Sequence, residues 1–307
     1  MGIHLYTHQL EALNNMKNGC ILVGGVGSGK SITSIAYYYL QEGGAFKTPI
    51  GEEYVPMNDS PRDSYIITTA QKRDTLEWEG ELSPFLLSKH PDINLYHNKV
   101  VIDSWNNIGK YKDVKDAFFI FDEQRVCGSG VWVKAFLKIT KVNKWILLSA
   151  TPGDCWTDYI PVFLANGFYK NRTEFLREHV VYSRFAKFPM IDRYINTGKL
   201  LRLRRSILVD MDFDRQTVPH HEDIFVNYDI KAYKDIMKNR WDIWKNEPIM
   251  NASGLCYALR RVVNSDKQRI DKVLEIFDKH PRVIIFYNFD YELEILKNID
   301  YGKDVQV

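Results

Sequence analysis

The chain has 307 residues, of which 45% are hydrophobic and 26% are charged, and its formal net charge is +2. These ordinary globular values allow one complete α/β domain and part of another. No apolar run approaches the roughly 20 residues that cross a bilayer, so no membrane partner is expected. The N-terminus lacks a basic segment followed by an apolar core, which argues against secretion.

The four cysteines are far apart along the chain, with no paired spacing: Cys20, Cys127, Cys155 and Cys256. This spacing disfavours both a zinc site and a disulfide framework. A reducing cytoplasm is the expected location.

Short apolar runs alternate with helix-like segments over the first half of the chain. A helix is predicted over 6–18, and strands over 20–23, 65–68, 100–102, 118–121 and 146–148. The strands are almost continuously apolar, as expected when both faces of a parallel sheet are buried. The pattern predicts a doubly wound α/β lobe over 1–165, with a surface insertion at 43–62.

The second half of the chain divides into a connector and an incomplete lobe. Residues 166–222 predict a basic, partly helical connector, and residues 223–307 a partial second α/β domain. In the latter, strands are expected at 224–229 and 283–287, a long helix over 231–245, and another helix from Tyr291. About 85 residues is roughly half of a complete doubly wound domain.

A glycine-rich loop follows the first predicted strand. Residues 24–31 read GGVGSGKS, a full match to G-x-x-x-x-G-K-[ST] between a strand and a helix. Its backbone N–H groups would surround phosphates, while the lysine reaches the β- and γ-phosphates and the serine hydroxyl ligates Mg²⁺. A structural glycine turn is the plainer alternative, which the complete motif in this context outweighs. The expected nucleotide-binding residues are Gly25, Gly27, Ser28, Gly29, Lys30 and Ser31.

Carboxylates and small hydroxyls follow two later strands. Asp122 and Glu123 come about ninety residues after the glycine-rich loop, in FFIFDEQR. Such an aspartate supplies a second Mg²⁺ contact, and the glutamate can orient the water that attacks the γ-phosphate. In ILLSATP, Ser149 and Thr151 end another strand, where they could sense the phosphate site. Each short motif alone is weak evidence for a nucleotide site. The pair of carboxylates becomes strong evidence because it follows a phosphate-binding loop at this distance.

In order and spacing, these motifs resemble those of superfamily-two helicases. The matching stretches are LYTHQLEAL with Gln9, GSGKS, TTAQKR (68–73) followed by Trp78 and Glu81, VVIDSW (100–105), DEQR (122–125) and SATP (149–152). LRRSILVD (203–210) and VIIFYNFD (283–290) resemble the Swi/Snf-type DNA translocase branch, in a compact form of the phage or bacterial kind. The resemblance implies a P-loop RecA-like parallel sheet followed by a partial second RecA-like lobe.

The resemblance also implies roles for individual residues. Gln9 would read the adenine edge, Lys30 and Ser31 would hold phosphate and metal, and Asp122 and Glu123 would carry out hydrolysis. Ser149 and Thr151 would couple nucleotide state to the grip on nucleic acid, and the backbone-binding face would contain Thr69, Gln71, Lys72 and Ser104. The implied cofactors are ATP and Mg²⁺, the partner is double-stranded DNA, and the location is a bacterial or phage-infected cytoplasm.

A strongly basic stretch runs from residue 170 to 205. It contains ten Lys or Arg against three acidic residues, and aromatic residues are interleaved among them. A solvated charged face and a nucleic-acid surface explain this composition about equally well before context is considered. In the helicase-like context, contacts to DNA phosphates are expected from Arg202, Arg204 and Arg205.

No late Q-x-x-G-R-x-x-R motif, which would supply an arginine finger, occurs in the chain. We therefore expect weak ATPase activity from these 307 residues alone, with a downstream segment or a partner supplying the arginine. Two other functions stay open. One is a nucleotide-regulated DNA-binding protein with little motor activity. The other is a P-loop kinase, against which the DEQR and SATP order counts.

Overall fold

The computed structural model describes residues 3–46, 50–51, 54–123, 126–212, 220–280 and 282–302. Two compact units divide the chain, Met1–Gln216 and Thr217–Val307. In the first unit the elements are β1 (Ile3–His4), α1 (Thr7–Asn15), β2 (Ile21–Val23), α2 (Lys30–Gln41), β3 (Ala45–Phe46), β4 (Ile50–Gly51), β5 (Tyr54–Val55), β6 (Ser64–Thr68), α3 (Ala70–Asp74), α4 (Glu77–Leu82), β7 (Val100–Ser104), β8 (Phe118–Asp122), α5 (Val131–Thr140), β9 (Lys144–Ser149), α6 (Ile160–Ala165), α7 (Arg172–His179), β10 (Val180–Tyr182), β11 (Ile191–Tyr194), α8 (Thr197–Ile207) and β12 (Leu208–Asp210).

A six-stranded parallel sheet organises the first unit, in the order β12-β2-β9-β8-β6-β7. Its flanking helices make it an α/β, RecA-like arrangement, which confirms the predicted fold class. The five predicted strands are all present, and each agrees with the sequence-based bounds to within two residues. The strands that are adjacent in the sheet are not all adjacent in sequence, so residues far apart along the chain meet at its edges.

The sixth strand, β12, comes from the segment that the sequence assigned to the connector. It pairs in parallel with β2, in the register Leu208↔Ile21, and Val209 is buried. The strand has only three residues and directly follows a basic helix, so its apolar signal is too short to stand out. The sheet of the first unit therefore includes a strand that lies well beyond residue 165, where the sequence predicted the lobe to end.

The core has two layers, one on each face of the sheet. On one face, which α1, α2 and α4 cover, the ring of Phe118 packs against Tyr38 at 5.2 Å between centroids. On the other, which α5 to α8 cover, Phe136 packs edge-on against Phe121 at 5.0 Å and against Trp145 at 5.2 Å. Since successive strand residues point to opposite faces and both faces are covered, β8 is apolar from Phe118 to Phe121 and becomes polar only at its last residue, Asp122.

Helices dominate the second unit, which contains α9 (Ile230–Asn239), β13 (Trp241–Asp242), β14 (Glu247–Pro248), α10 (Ala252–Asn264), α11 (Lys267–Lys279) and α12 (Asp290–Lys297). Its small core joins Ile236 of α9 to Leu255, Leu259 and Val262 of α10. A cavity of about 620 Å³ opens among the later helices, where Arg261 stacks on Trp244.

Three sequence-based expectations for this unit are wrong. The helix expected over 231–245 ends at Asn239, because Arg240 adopts a left-handed conformation (φ 52°) and a short β13–β14 hairpin follows. The described residues of 224–229 and 283–287 form no strand. Both segments are apolar, but a strand also needs a hydrogen-bonding neighbour. Here Phe225 and Phe286 are exposed instead.

The predicted surface insertion at 43–62 contains the short strands β3, β4 and β5. β3 pairs antiparallel with β5, and β4 pairs antiparallel with β1, which lies outside the insertion. Arg62 joins the end of the insertion to the end of α2, because its guanidinium lies 2.7 Å from Oε1 of Glu42, the C-cap residue of that helix. Among the helices that the described residues form, none is both long enough and apolar enough to span a membrane.

Candidate active site

The polar groups of the first unit collect at the carboxyl edge of the parallel sheet, where ligands of such sheets bind. Backbone hydrogen bonds join the strand ends there. Gly24 N donates to Ser149 O at 3.3 Å, and Glu123 N donates to Leu148 O at 3.2 Å. Because β9 lies between β2 and β8, the glycine-rich loop, the SATP segment and the carboxylate pair are neighbours in space.

The glycine-rich loop has the backbone that its sequence predicts. Gly27 and Gly29 both adopt left-handed conformations, with φ of 83° and 80°, and α2 begins immediately afterwards at Lys30. A Cβ built on Gly29 would lie 2.1 Å from Gln9 Nε2. The Ser28 hydroxyl donates to Gly25 O at 2.9 Å, which closes the loop on itself. The 12-residue helix α2 thus presents its positive end to the loop.

The Lys30 side chain is folded into the loop. Its Nζ donates to Gly24 O at 2.7 Å and to Gly25 O at 3.0 Å. Burial lowers the pKa of this ammonium, and the negative charges of Glu123 and Asp122 partly oppose that effect. The positive charge is therefore held within the loop, close to the carboxylates of the next motif.

Gln9 lies against the same loop, although it belongs to α1. Its Oε1 accepts from Tyr6 N at 2.7 Å, which caps the helix, and its Nε2 lies 3.5 Å from Gly29 O. The neighbouring His8 Nε2 is 3.1 Å from Ser28 O. The structure brings Gln9 to the glycine-rich loop, while its part in reading adenine stays a prediction.

Asp122 and Glu123 share one ammonium partner. Lys72 Nζ lies 3.2 Å from Asp122 Oδ2 and 2.9 Å from Glu123 Oε1. Burial lowers the pKa of Lys72, but its hydrogen bond to Glu123 and the charge of Asp122 outweigh this and raise the pKa overall. The sequence assigned Lys72 to the nucleic-acid face, and the structure places its ammonium beside the carboxylates of Asp122 and Glu123.

The two carboxylates differ sharply in environment. Asp122 is 1% exposed and also accepts from Thr68 Oγ1 at 2.8 Å. Burial raises its pKa, against the opposing effects of Lys72 and Thr68. The Glu123 side chain is 41% exposed, and its backbone is left-handed, with φ of 55°. One carboxylate is fixed in the sheet, and the other reaches toward solvent.

Mg²⁺ fits this donor set. It prefers oxygen ligands and is usually held by one or two carboxylates together with substrate phosphates. Asp122 Oδ2 is occupied by its two donors, while Oδ1 accepts no hydrogen bond from any described residue. A cation there would offset the cost of burying the charge. Among the described residues no group of three or more His, Cys, Asp or Glu could hold a metal alone.

Ser149 and Thr151 link the glycine-rich loop to the segment that follows β9. Ser149 Oγ accepts from Thr151 N at 3.1 Å, while Ser149 O accepts from Gly24 N. Ser149 is therefore bonded both to the glycine-rich loop and to Thr151. This geometry suits the predicted coupling role, which stays a prediction.

The remaining residues of the predicted nucleic-acid face lie in different environments. Thr69 Oγ1 caps α3 by accepting from Lys72 N at 3.3 Å. Gln71 is exposed, but Ser104 is buried, and its N donates to Asp103 Oδ1 at 2.7 Å. Of these three residues, Gln71 is the one that a large ligand can reach freely.

The three arginines of α8 also differ in how freely a ligand can reach them. Arg204 lies over the rings of Trp156 and Tyr159, at 5.7 and 6.0 Å from their centroids. Arg202 and Arg205 are exposed to solvent. Arg204 therefore has an intramolecular partner, while the other two are available to phosphates.

Sequence reasoning missed the role of Thr68 and the position of Lys72. Thr68 ends β6, next to β8 in the sheet, so its hydroxyl meets Asp122. A polar residue ending a buried strand was the available signal. Which carboxylate it would meet depended on the strand order, which the sequence did not reveal.

No protein-family model matches the chain, and no curated protein matches it. Among solved structures, the Sulfolobus solfataricus SWI2/SNF2 ATPase core in complex with dsDNA has a TM-score of 0.52 at 16% identity, covering 97% of this chain and 70% of that one. The chain has the Swi/Snf-type helicase-like fold. At such low identity the likeness shows the fold alone.

Two further solved structures were found with lower scores. The Sulfolobus solfataricus SWI2/SNF2 ATPase core domain has a TM-score of 0.46 at 15% identity, covering 97% of this chain and 72% of that one. The Pyrococcus furiosus Hef helicase domain has a TM-score of 0.36 at 15% identity, covering 57% of this chain and 40% of that one.

We expect Gly29→Ala to destabilise the ligand-free protein by about 1–3 kcal/mol. An alanine pays about 1–2 kcal/mol for the left-handed backbone and also displaces the Gln9 amide. Gly25→Ala is the matched control, because its added Cβ would meet nothing within 4 Å, and it should cost less than about 0.5 kcal/mol. Urea unfolding midpoints measure both. Equal midpoints for the two variants would contradict the loop geometry.

Asp122→Asn should raise the melting temperature at pH 7 by about 2–4 °C, which corresponds to roughly 1 kcal/mol in a domain of this size. The folded protein raises the pKa of Asp122, so its ionised form costs stability above that pKa. The gain should shrink as the pH falls through the raised pKa toward about 4, where the unfolded chain also binds the proton.

Asp103→Asn is the control of opposite sign for Asp122→Asn. Burial raises the pKa of Asp103, but hydrogen bonds from Asn107, Tyr111 and Ser104 N outweigh burial and lower it overall. Its ionised form therefore stabilises the fold at neutral pH, and this contribution is lost as the pH falls through the depressed pKa. Scanning calorimetry should show a lower melting temperature for Asp103→Asn, and shifts of equal sign would refute the assignment.

Proposed function

We propose that this chain is a helicase-like ATPase that couples ATP hydrolysis to movement on duplex DNA. The observation that carries the proposal is the meeting of Lys30, the Asp122–Glu123 pair and Ser149 at one edge of one parallel sheet. Each group follows a different strand, yet backbone hydrogen bonds between the strand ends hold them together. A phosphate-binding loop beside a carboxylate pair is what nucleotide hydrolysis requires.

Nucleotide binding begins at the glycine-rich loop. The backbone N–H groups at the start of α2 and the Lys30 ammonium supply the positive charge that phosphates need. Lys30 Nζ now donates to two carbonyls of the loop, and it can exchange them for phosphate oxygens without leaving the loop. Ser31 and Asp122 would hold Mg²⁺, which neutralises charge that develops on the phosphates.

Hydrolysis needs a base or orienting group for the attacking water, and Glu123 is best suited to this part. Its carboxylate is partly exposed next to the loop, whereas that of Asp122 is buried and fixed by Thr68. Its ion pair with Lys72 would have to loosen before Glu123 could accept a bond from water. Lys72 and Thr69 belong to the same turn of chain, so a ligand bound at Thr69 could change that ion pair.

The DNA partner is proposed on the basis of surface charge and fold. Arg202 and Arg205 are exposed on the basic helix α8, and the solved structure of similar fold is a complex with dsDNA. A nucleotide-regulated DNA-binding protein is the competing function. DNA binding without measurable ATP turnover would favour that competitor, and phosphate transfer to a small molecule would favour a kinase.

Glu123→Gln should reduce Mg·ATP hydrolysis by about 10²–10⁴-fold and leave nucleotide binding almost unchanged. The amide keeps the shape of the side chain but cannot accept the proton of the water. Lys30→Ala is the contrasting variant, because it removes the charge that faces the phosphates and should abolish both binding and turnover. Phosphate release and binding of a fluorescent ATP analogue measure the two effects. Equal loss of binding in both variants would assign Glu123 a structural part.

Arg202→Gln combined with Arg205→Gln should weaken binding of a blunt 20-base-pair duplex and flatten its salt dependence. Each DNA phosphate that the protein no longer neutralises reduces the slope of log K against log salt by about 0.9, so the double variant should reduce it by about 1.8. Lys141→Gln with Lys144→Gln removes equal charge near the amino edge of the sheet and should leave the slope unchanged. Fluorescence anisotropy at several salt concentrations measures the slope for each variant. Equal slopes for both double variants would exclude α8 from the interface.

A further inference from the structure

A β-hairpin projects from the first unit between α7 and α8. Its strands β10 and β11 pair antiparallel, with Val180 opposite Tyr194 and an irregularity near Tyr182. Ser183 N donates to Met190 O at 2.8 Å, which continues the pairing toward the tip. Residues 184–189 form the hairpin tip.

The base of the hairpin is firmly anchored in the core. His179, which immediately precedes β10, is fully buried and bonded through both ring nitrogens. Its Nδ1 donates to Ile195 O at 3.0 Å, and the Tyr169 hydroxyl bonds to its Nε2 at 2.7 Å. Lys199 Nζ lies 2.8 Å from Glu178 Oε1, which fastens α8 to α7. The base of the hairpin is therefore held in a fixed position against the core of the first unit.

The hairpin tip carries two large rings that are exposed to solvent. Phe185 is 100% exposed and Phe188 is 76% exposed. Arg184 and Lys187 alternate with them along the chain. The one acidic residue of the hairpin, Asp192, is paired with Arg193 at 3.3 Å.

Exposed aromatic rings interleaved with cations match one class of ligand in particular. A single nucleic-acid strand offers base faces on which rings stack and phosphates that attract cations. A duplex buries its bases in the stack and offers mainly phosphates and groove edges. An apolar protein partner would match the rings but would leave Arg184 and Lys187 to be desolvated without compensation. Charge and ring exposure together favour unpaired bases.

The hairpin is also connected to the nucleotide site. Tyr194 OH lies 3.4 Å from Thr157 Oγ1, in the segment that follows Ser149 and Thr151. The rings on either side of Thr157, those of Trp156 and Tyr159, hold Arg204 of α8. The segment 156–159, which follows the end of β9, therefore contacts both the hairpin and the basic helix α8.

We propose that the hairpin is a base-stacking finger, on which Phe185 and Phe188 stack against unpaired bases of a DNA strand while Arg184 and Lys187 contact its phosphates. The proposal rests on the proposed function and narrows its substrate to DNA that contains unpaired bases, such as a fork or a duplex with a single-stranded tail. The Thr157 contact gives the finger a path by which nucleotide state can reposition it.

The test compares the full chain and its variants on three DNA probes: a 20-base oligothymidine, a blunt 20-base-pair duplex, and the same duplex with a single-stranded tail. Stacking contributes about tenfold in affinity per ring. Phe185→Ala with Phe188→Ala should weaken binding of the oligothymidine and the tailed duplex at least tenfold, and that of the blunt duplex less than twofold. Both side chains are exposed, so the fold should survive, which circular dichroism and the melting temperature verify.

Two further double variants separate stacking from other effects. Phe185→Trp with Phe188→Trp keeps aromatic faces and should restore binding to the wild-type level. Ile93→Ala with Leu95→Ala removes exposed apolar side chains from the loop that leads into the amino end of β7, and should change no affinity. The Phe-to-Ala pair should leave the salt slope unchanged, because neither ring carries a charge that neutralises a phosphate.

The outcomes separate this proposal from the proposed function. If the wild type binds all three probes and the Phe-to-Ala pair binds them equally well, the finger is refuted while DNA binding stands. Equal loss on all probes, or loss without rescue by tryptophan, would make the rings structural and also refute it. A change from dimer to monomer in sedimentation, with unchanged DNA affinity, would assign the rings to protein association. Absence of wild-type binding to every probe would overturn both proposals.

Discussion

The burial of both faces of the parallel sheet is the constraint on which the rest of the first unit depends. Helices cover each face, so strand side chains such as those of Phe118 to Phe121 in β8 are apolar, and the carboxylate of Asp122 appears where that strand ends. The carboxyl edge therefore collects the glycine-rich loop, the carboxylate pair and the SATP segment. Hydrogen bonds of Gly24 N and Glu123 N to the end of β9 hold these three motifs in register.

The charges at this edge are balanced by other side chains of the chain more than by solvent. Two ammonium groups, those of Lys30 and Lys72, lie near the carboxylates of Asp122 and Glu123, and burial disfavours the charged form of both Lys30 and Asp122. A ligand that carries phosphates and a cation would offset this cost of burial. Lys72 belongs to α3, whose N-cap is Thr69, a residue of the predicted nucleic-acid face.

The segment after residue 165 is more than a connector between lobes. It forms the anchored helix α7, the aromatic hairpin and the basic helix α8, and then returns to the sheet as β12 beside β2. Met211 N donates to Val23 O at 2.7 Å, immediately before the glycine-rich loop. The basic helix and the aromatic hairpin therefore belong to the same unit as the glycine-rich loop.

The sequence by itself determined the fold class and the five central strands, because local apolar runs carry that information. Its complete glycine-rich motif and the carboxylates after a later strand predicted Lys30, Ser31, Asp122 and Glu123 as site residues, and these roles stay predictions. Tertiary structure alone decided that Lys72 pairs with the carboxylates and that Arg204 stacks on Trp156, since both depend on which strands and helices are neighbours. It also decided the second unit, where 224–229 and 283–287 have strand-like composition but no strand partner among the described residues. Composition records the tendency of a segment to be buried, whereas a strand also requires a second strand that long-range packing must bring to it.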